Sequence, residues 1–348
     1  MNIRTGTMVR KEYQILSDFI KSHPQIVINK SEISIPSEVR EEFYRLFDDV
    51  RRAVVDEHFA NLPIDPVVLS EHYLRIEQEI VNRLGLERIA MPVDLASFLR
   101  NPREGLTRVL YTKLFDLLQG KMELADFEQQ AEQDLKSAAS DLYRLGYEMW
   151  AALALINMLD PDQGFFVDLD ADYKPVLAEL KEIAFGRQAH HPTIRIPEFV
   201  IRSRRLDQYV AVKMAMTREI SSFIVPYTPP VRPRKKTGDT SQALDSRVML
   251  LYLNVTPEDI PVVAEIYDRK LTCPDFMIEF ITEGEFNDPA SLSEVRGRLE
   301  MMNPKLGMGL LLIGTEPAEK PEGIADNMHV VAAGFDSSRM EPLLERLV

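Results

Sequence analysis

The chain has 348 residues, 45% of them apolar, and a formal charge of −14. At about 100 to 200 residues per domain this length predicts two domains, and the acidity argues against nucleic acid as the main partner, because coating a phosphate backbone needs a basic surface. The one cysteine, Cys273, excludes an intramolecular disulfide, and no zinc-ligand spacing occurs, so a reducing, cytoplasmic setting is expected.

The first residues, MNIRTGTMVRKEYQILSDFIKSHPQIVI, contain no apolar core of signal-peptide type. The richest apolar run, WAALALINML at 150–159, is shorter than the roughly 18 residues of a membrane span, and no membrane partner is expected.

In SEVREEFYRLFDDVRRAVVDEHF, Val39, Phe43, Leu46, Phe47, Val50 and Val54 recur at spacings of three and four, which predicts a helix that Ser37 can cap. Leu69, Tyr73, Ile76, Ile80 and Leu84 form a second stripe ending at Gly85, and Leu106 to Leu118 a third ending at Gly120, both glycines standing where a left-handed C-terminal residue is wanted. A fourth helical pattern runs from about Leu124 to Leu159. Such stripes with short connections predict a bundle.

The stretch FFVDLDADYKPVLAE puts Asp168, Asp170, Asp172 and Glu179 at relative positions 1, 3, 5 and 12, the offsets of a calcium loop. Tyr173 stands where such a loop needs glycine, and the apolar run before it reads as a strand. The expected element is therefore a strand followed by a helix capped by Asp170 or Asp172, with Pro175 in its first turn and Val176, Leu177, Leu180 and Ile183 facing the core. A metal loop is the alternative.

TIRIPEFVIRS, around 194–202, predicts a short β element. Residues 204–225 fit period 2 through Val210, Val212, Met214 and Met216, but their Arg, Met, Ala, Lys and Glu content favours a helix. Residues 1–226 are thus expected to form a mainly helical domain. Residues 227–247, proline-rich and polar, read as a linker or long exposed loop. Its basic group Arg232, Arg234, Lys235 and Lys236 is a candidate anchor for phosphate, nucleic acid or an acidic partner.

Beyond the linker, residues 248–348 alternate. RVMLLYLN, DFMIEFITEG, MGLLLIG and MHVVAAG read as strands; PEDIPVVAEIYDRK, SLSEVRGRLEMM and SSRMEPLLERL read as helices. The βαβαββα order predicts a small α/β domain with a mostly parallel sheet, so the fold class expected for the whole chain is a helical bundle followed by α/β.

Ligands of such sheets bind at the carboxyl ends of the strands, where Glu258, Glu283, Glu285, Glu316 and Asp336 fall and where an acidic ring can hold Mg²⁺. Against this, residues 247–348 carry 18 Asp or Glu and 9 Lys or Arg, so acidic loops follow from composition alone. Asp275 and Glu279 suggest a nuclease core but lack its lysine, Cys273 has no histidine nearby in sequence, and Glu57-His58 and Glu71-His72 lack the Glu-x-x-His spacing of a bundle metal site. With no nucleotide loop and no nucleophile motif, the sequence points to a non-catalytic cytoplasmic binding protein, a subunit, adaptor or regulator with a protein partner and no cofactor. The alternative is a divalent-metal-dependent hydrolase or nuclease at the acidic rim. Convergence of at least three of the five rim carboxylates would discriminate the two.

Overall fold

The computed structural model describes residues 7–185, 191, 193–217, 220, 247–314 and 324–348. The protein mixes helix and sheet, with a helical N-terminal region and one large mixed sheet. Packing divides it into a first compact unit, Met1–Glu71 with Pro92–Tyr143, and a second, His72–Met91 with Arg144–Val348.

The first unit comprises α1 (Thr7–Ser22), the hairpin β1 (Val27–Ile28) and β2 (Ile33–Ser34), and α2 (Ser37–Phe59). The start of α3 (Pro66–Leu84) follows, then α4 (Val93–Arg100), α5 (Pro102–Thr107), α6 (Tyr111–Leu118) and the first part of α7 (Leu124–Met158). The predicted stripe of α2 is its buried face: Phe43, Leu46, Phe47, Val50 and Val54 are all buried. Phe47 stands 4.5 Å from the Phe115 ring and 5.4 Å from Tyr111, so aromatic packing joins α2 to α6. Ser37 begins the helix without capping it; the cap position is Pro36. Gly85 and Gly120 adopt φ of +66° and +64° after α3 and α6, as their positions predict. The stripe from Leu106 to Leu118 is broken by a 3-10 turn at Arg108–Leu110. Gly105 lets α5 approach α4 closely, since a Cβ there would lie 2.5 Å from the backbone of Phe98.

The second unit is organised by an eight-stranded sheet in the order β15-β14-β13-β10-β9-β8-β4-β5. Its strands are β4 (Pro161–Leu169), β5 (Pro175–Glu179), β8 (Phe199–Ser203), β9 (Gln208–Met216), β10 (Arg247–Val255), β13 (Phe276–Thr282), β14 (Met308–Ile313) and β15 (Met328–Ala332). Small sheets join β3 (Arg88–Ala90) to β6 (Glu182–Ala184), and β7 (Ile194–Arg195) to β11 (Ala264–Glu265) and β12 (Lys270–Leu271). Helices α8 (Glu283–Asn287) and α9 (Pro289–Met302) link β13 to β14, and α10 (Glu341–Leu344) lies near the C-terminus. The central strands are buried on both faces, which is why they read as near-continuous apolar runs, interrupted in β13 by Glu279. Leu292, Val295, Leu299 and Met302 of α9 share a core with Val248, Leu250, Met277, Ile281 and Leu310 of the sheet. The part of α7 in this unit, including the run from Trp150 to Ile156, is likewise buried.

Three expected elements differ. The expected separate α/β domain at 248–348 is not confirmed: β13-β14 and β14-β15 are parallel as expected, but β10 runs antiparallel to β13, and these four strands continue into a larger sheet whose remaining neighbouring pairs are all antiparallel. The helix expected at 257–270 is instead a bridge between Thr256 and Asp259 followed by the β11-β12 hairpin. Pro261 explains this, because mid-helix it removes a donor and clashes with the preceding turn. Residues 208–216, expected as helix, are β9, held between β8 and β10. The period-2 reading through Val210, Val212 and Met214 is the one the fold adopts, and strand pairing overrode helix propensity.

Strands from before and after residues 227–247 therefore lie in one sheet, through the β9-β10 pair. Of that expected linker only Arg247, the first residue of β10, is among the described residues.

Candidate functional site

The stretch from Phe165 to Glu179 is a β-hairpin, which corrects the expected capped helix. β4 and β5 pair antiparallel from Phe165↔Glu179 to Leu169↔Pro175. The turn is built on the Asp170 side chain, whose Oδ1 accepts the N–H groups of Asp172 (2.8 Å) and Lys174 (2.9 Å). Tyr173 takes φ of +60°. Pro175 is tolerated because it opens an edge strand. Leu177 packs against the core, Leu180 and Ile183 are buried, and Val176 is exposed. Asp168 accepts the N–H of Leu169, and Glu179 is exposed beside Lys181 at 3.6 Å. No helix enters this turn, as a calcium loop requires.

The acidic rim is divided by the sheet topology. Because β10 is antiparallel to β13, with Leu251 opposite Phe276, the chain beyond β10 that carries Glu258 leaves at the amino end of β13. Glu283, Glu285 and Asp336 follow the carboxyl ends of β13 and β15, at the other end of the sheet. Two of these have structural work. Glu285 forms a capping box with Thr282, and Asp336 accepts the N–H and hydroxyl of Ser338, bonds that hold its carboxyl below the usual range. Glu283 is an exposed first-turn residue of α8. Among the described residues no group of three or more His, Cys, Asp or Glu is placed to hold a metal ion. Glu316 and the basic group Arg232, Arg234, Lys235 and Lys236 lie outside the described residues.

The sheet also holds buried charges, of which Glu198 and Lys213 were not anticipated from the sequence. Glu198, just before β8, receives the Lys213 ammonium of β9 at 2.7 Å, and both side chains are 3% exposed. The second carboxylate oxygen accepts the Met214 N–H at 2.7 Å. Burial pushes the Glu198 carboxyl above the ordinary glutamate value, against the opposing pull of Lys213 and that N–H. Glu279 of β13 lies between Val248 and Leu310 in the sheet and is gripped by Arg298 of α9 at 3.1 and 3.2 Å; burial raises its carboxyl too. Asp275 accepts the Leu253 N–H at 2.6 Å and the Lys305 ammonium at 2.7 Å. The two acids that suggested a nuclease core thus each have a cationic partner. A lone lysine in YVAVKMAM and a lone glutamate before FVI were the signals that could have found the first pair, since a charge in a buried strand requires a partner.

The other distinctive feature is the edge of the sheet at β15. Its register with β14 runs from Met308↔Met328 to Leu312↔Ala332, and the Met308 N–H donates to Asn327 O at 2.9 Å. In a parallel ladder that bond sets the parity: His329 and Val331 turn their main-chain groups toward β14, and Met328, Val330 and Ala332 turn theirs outward. The Met328 N–H is taken by Ala325 O at 2.9 Å. Val330 presents both its N–H and its C=O at the edge, where no further strand pairs among the described residues. Beside it lies an open hollow of about 480 Å³ lined by Met328, His329, Val330 and Val331 and, from the C-terminal turns, Pro342, Glu345 and Arg346. The opposite edge, β5, is blunted by Pro175 and the exposed Glu179, which is how sheets prevent edge pairing. β15, MHVVA, has no proline and no acidic, lysine or arginine residue.

Comparison with protein-family models, with curated proteins and with solved structures finds no match. Among the described residues no helix is long and apolar enough to cross a membrane.

Proposed function

We propose that the chain is a non-catalytic cytoplasmic binding protein, a subunit, adaptor or regulator that works by contact with other protein chains, and that the contact is made by adding a strand to β15. The observation that carries this reading is Val330, whose N–H and C=O point out of a half-buried edge strand beside an open hollow. Main-chain groups in that position are templates for another strand, and side chains of an added strand can enter an adjoining hollow. The contrast with β5 supports the reading, since one edge carries blocking residues and the other does not. The single cysteine supports a reducing compartment.

A photo-crosslinking amino acid placed at Arg346, beside the hollow, tests the proposal in the native host cell. A matched protein carries it at Lys174, in the exposed β4-β5 turn at the other edge of the sheet. Defined protein-protein crosslinks from position 346 and none from position 174 are expected. Equal crosslinking from both positions, or none from 346, would overturn it.

A further inference from the structure

Resting on the reading of β15 as a contact edge, we infer that its occupant is an extended segment of another protein that sets an Asp or Glu side chain against Arg346 and carries no net negative charge. The two faces of β15 differ. Met328 and Val330 pack with Met308 and Leu310 in the core that α9 covers. His329 and Val331 lie on the other face: a Cβ on Gly309, the ladder partner of His329, would lie 2.9 Å from the Leu343 side chain of α10. The C-terminal turns therefore cover that face, and the hollow that Pro342, Glu345 and Arg346 line opens on it. In an added strand, the residue opposite Val330 turns its side chain to the core face, and the residues before and after it turn theirs toward the hollow, whichever way the strand runs.

Charge selects what those flanking side chains can be. Among the described residues Arg346 makes no ion pair and no hydrogen bond, and it is exposed. Glu345, its neighbour, acts on Arg205, whose guanidinium Glu341 already holds at 3.0 Å. The hollow thus offers a guanidinium with no acid of its own, and a carboxylate is the group that accepts two parallel N–H bonds from it. β15 does not meet this requirement itself, because its hollow-facing residues are His329 and Val331. The formal charge of −14 repels acidic segments until salt screens it, within about 10 Å at 0.1 M, so the carboxylate has to stand in a segment that is neutral or basic as a whole. The segment is also short. The Met328 N–H is taken by Ala325 O, so the open ladder runs only from the Met328 C=O to Ala332.

Three peptides, titrated into the full-length chain from micromolar to millimolar concentration, test this. One is acetyl-Lys-Val-Glu-Val-Thr-Val-Lys-amide, and the others carry Gln or Lys in place of its Glu. Calorimetry reads affinity, and amide hydrogen exchange reads the place: Val330 and Ala332 should slow, while Val331, whose N–H faces β14, should not change. The Glu peptide should bind at least about tenfold more tightly than the Gln peptide, and the Lys peptide more weakly still. Arg346→Glu should reverse that order; if this variant fails to fold, the peptide series on the parent still decides. Equal binding of the three peptides with Val330 protected, or an order that Arg346→Glu leaves unchanged, overturns the carboxylate and leaves the contact edge standing. Failure of every peptide to protect Val330 overturns both. Val330 exchange that slows with the concentration of the chain alone would put a second copy at the edge and overturn the inference as well.

Discussion

Replacing Lys213 by methionine retains most of the side-chain volume and removes the ammonium, leaving the Glu198 carboxylate inside the sheet with only the Met214 N–H. Both side chains are 3% exposed, so solvent does not screen the loss. Breaking a buried ion pair from one side costs about 3 to 5 kcal/mol, because the remaining charge is uncompensated. Adding Glu198→Gln keeps an oxygen for the Met214 N–H and removes that charge, so the double variant should regain at least about 2 kcal/mol. Equilibrium urea denaturation followed by circular dichroism reads all three proteins. The pH dependence has a defined sign. Burial raises the folded-state pKa of Glu198 above its unfolded value. The contribution of this group to stability is therefore fully present below the unfolded pKa and is lost as pH rises through the folded one. With Lys213 removed the folded value rises further, so the deficit of Lys213→Met must be larger at neutral pH than at about pH 5. A Lys213→Met protein within about 0.5 kcal/mol of the parent at neutral pH, or a deficit that grows on acidification, would refute the account of this pair.

Phe47→Ala empties a fully buried ring from between α2 and α6, and thermal or urea unfolding should register a loss of about 3 to 5 kcal/mol. Gly105→Ala inserts a methyl group against the Phe98 backbone and should cost about 1 to 3 kcal/mol in the same assay; a neutral result would mean α4 and α5 can separate freely. Thr282→Ala removes one arm of the capping box, with an expected cost of about 1 kcal/mol. If Glu283 and Glu285 are surface and capping residues, Mg²⁺ or Mn²⁺ should leave the Tm of the parent unchanged, and a metal-dependent rise abolished by Glu283→Gln would restore the metal-dependent hydrolase reading.

The elements legible in the sequence are those whose physics is local and repeated. The apolar spacing of Phe43, Phe47 and Val50 identifies α2 because a helix repeats its buried face every three or four residues, and the 35 residues of α7 offer that signal many times over. Gly85 and Gly120 end their helices because left-handed φ costs glycine little. The runs that became β10, β13, β14 and β15 were legible as strands because each is short, apolar and rich in β-branched or large apolar residues. Where the local signals were balanced, the partner decided. QYVAVKMAM is a strand because β8 and β10 flank it, and Asp170 closes a hairpin turn because β4 supplies a ladder for the residues that follow.

The candidate sites belong to tertiary structure throughout. The acidic residues after β10 and β13 were visible, but whether those strands run parallel or antiparallel is set by which surfaces the whole chain can bury together. That choice sends Glu258 to one end of the sheet and Glu283 to the other. Glu198 and Lys213 become neighbours through the β8-β9 hairpin, and among the described residues it is strand order that leaves β15 last, with the main-chain groups of Val330 turned to the edge. Helical periodicity is written in residues a few positions apart, and the sequence alone determined those helices and buried runs. Strand order, ion pairs and edges arise from contacts between residues far apart in the chain, whose free energy is a property of the assembled fold.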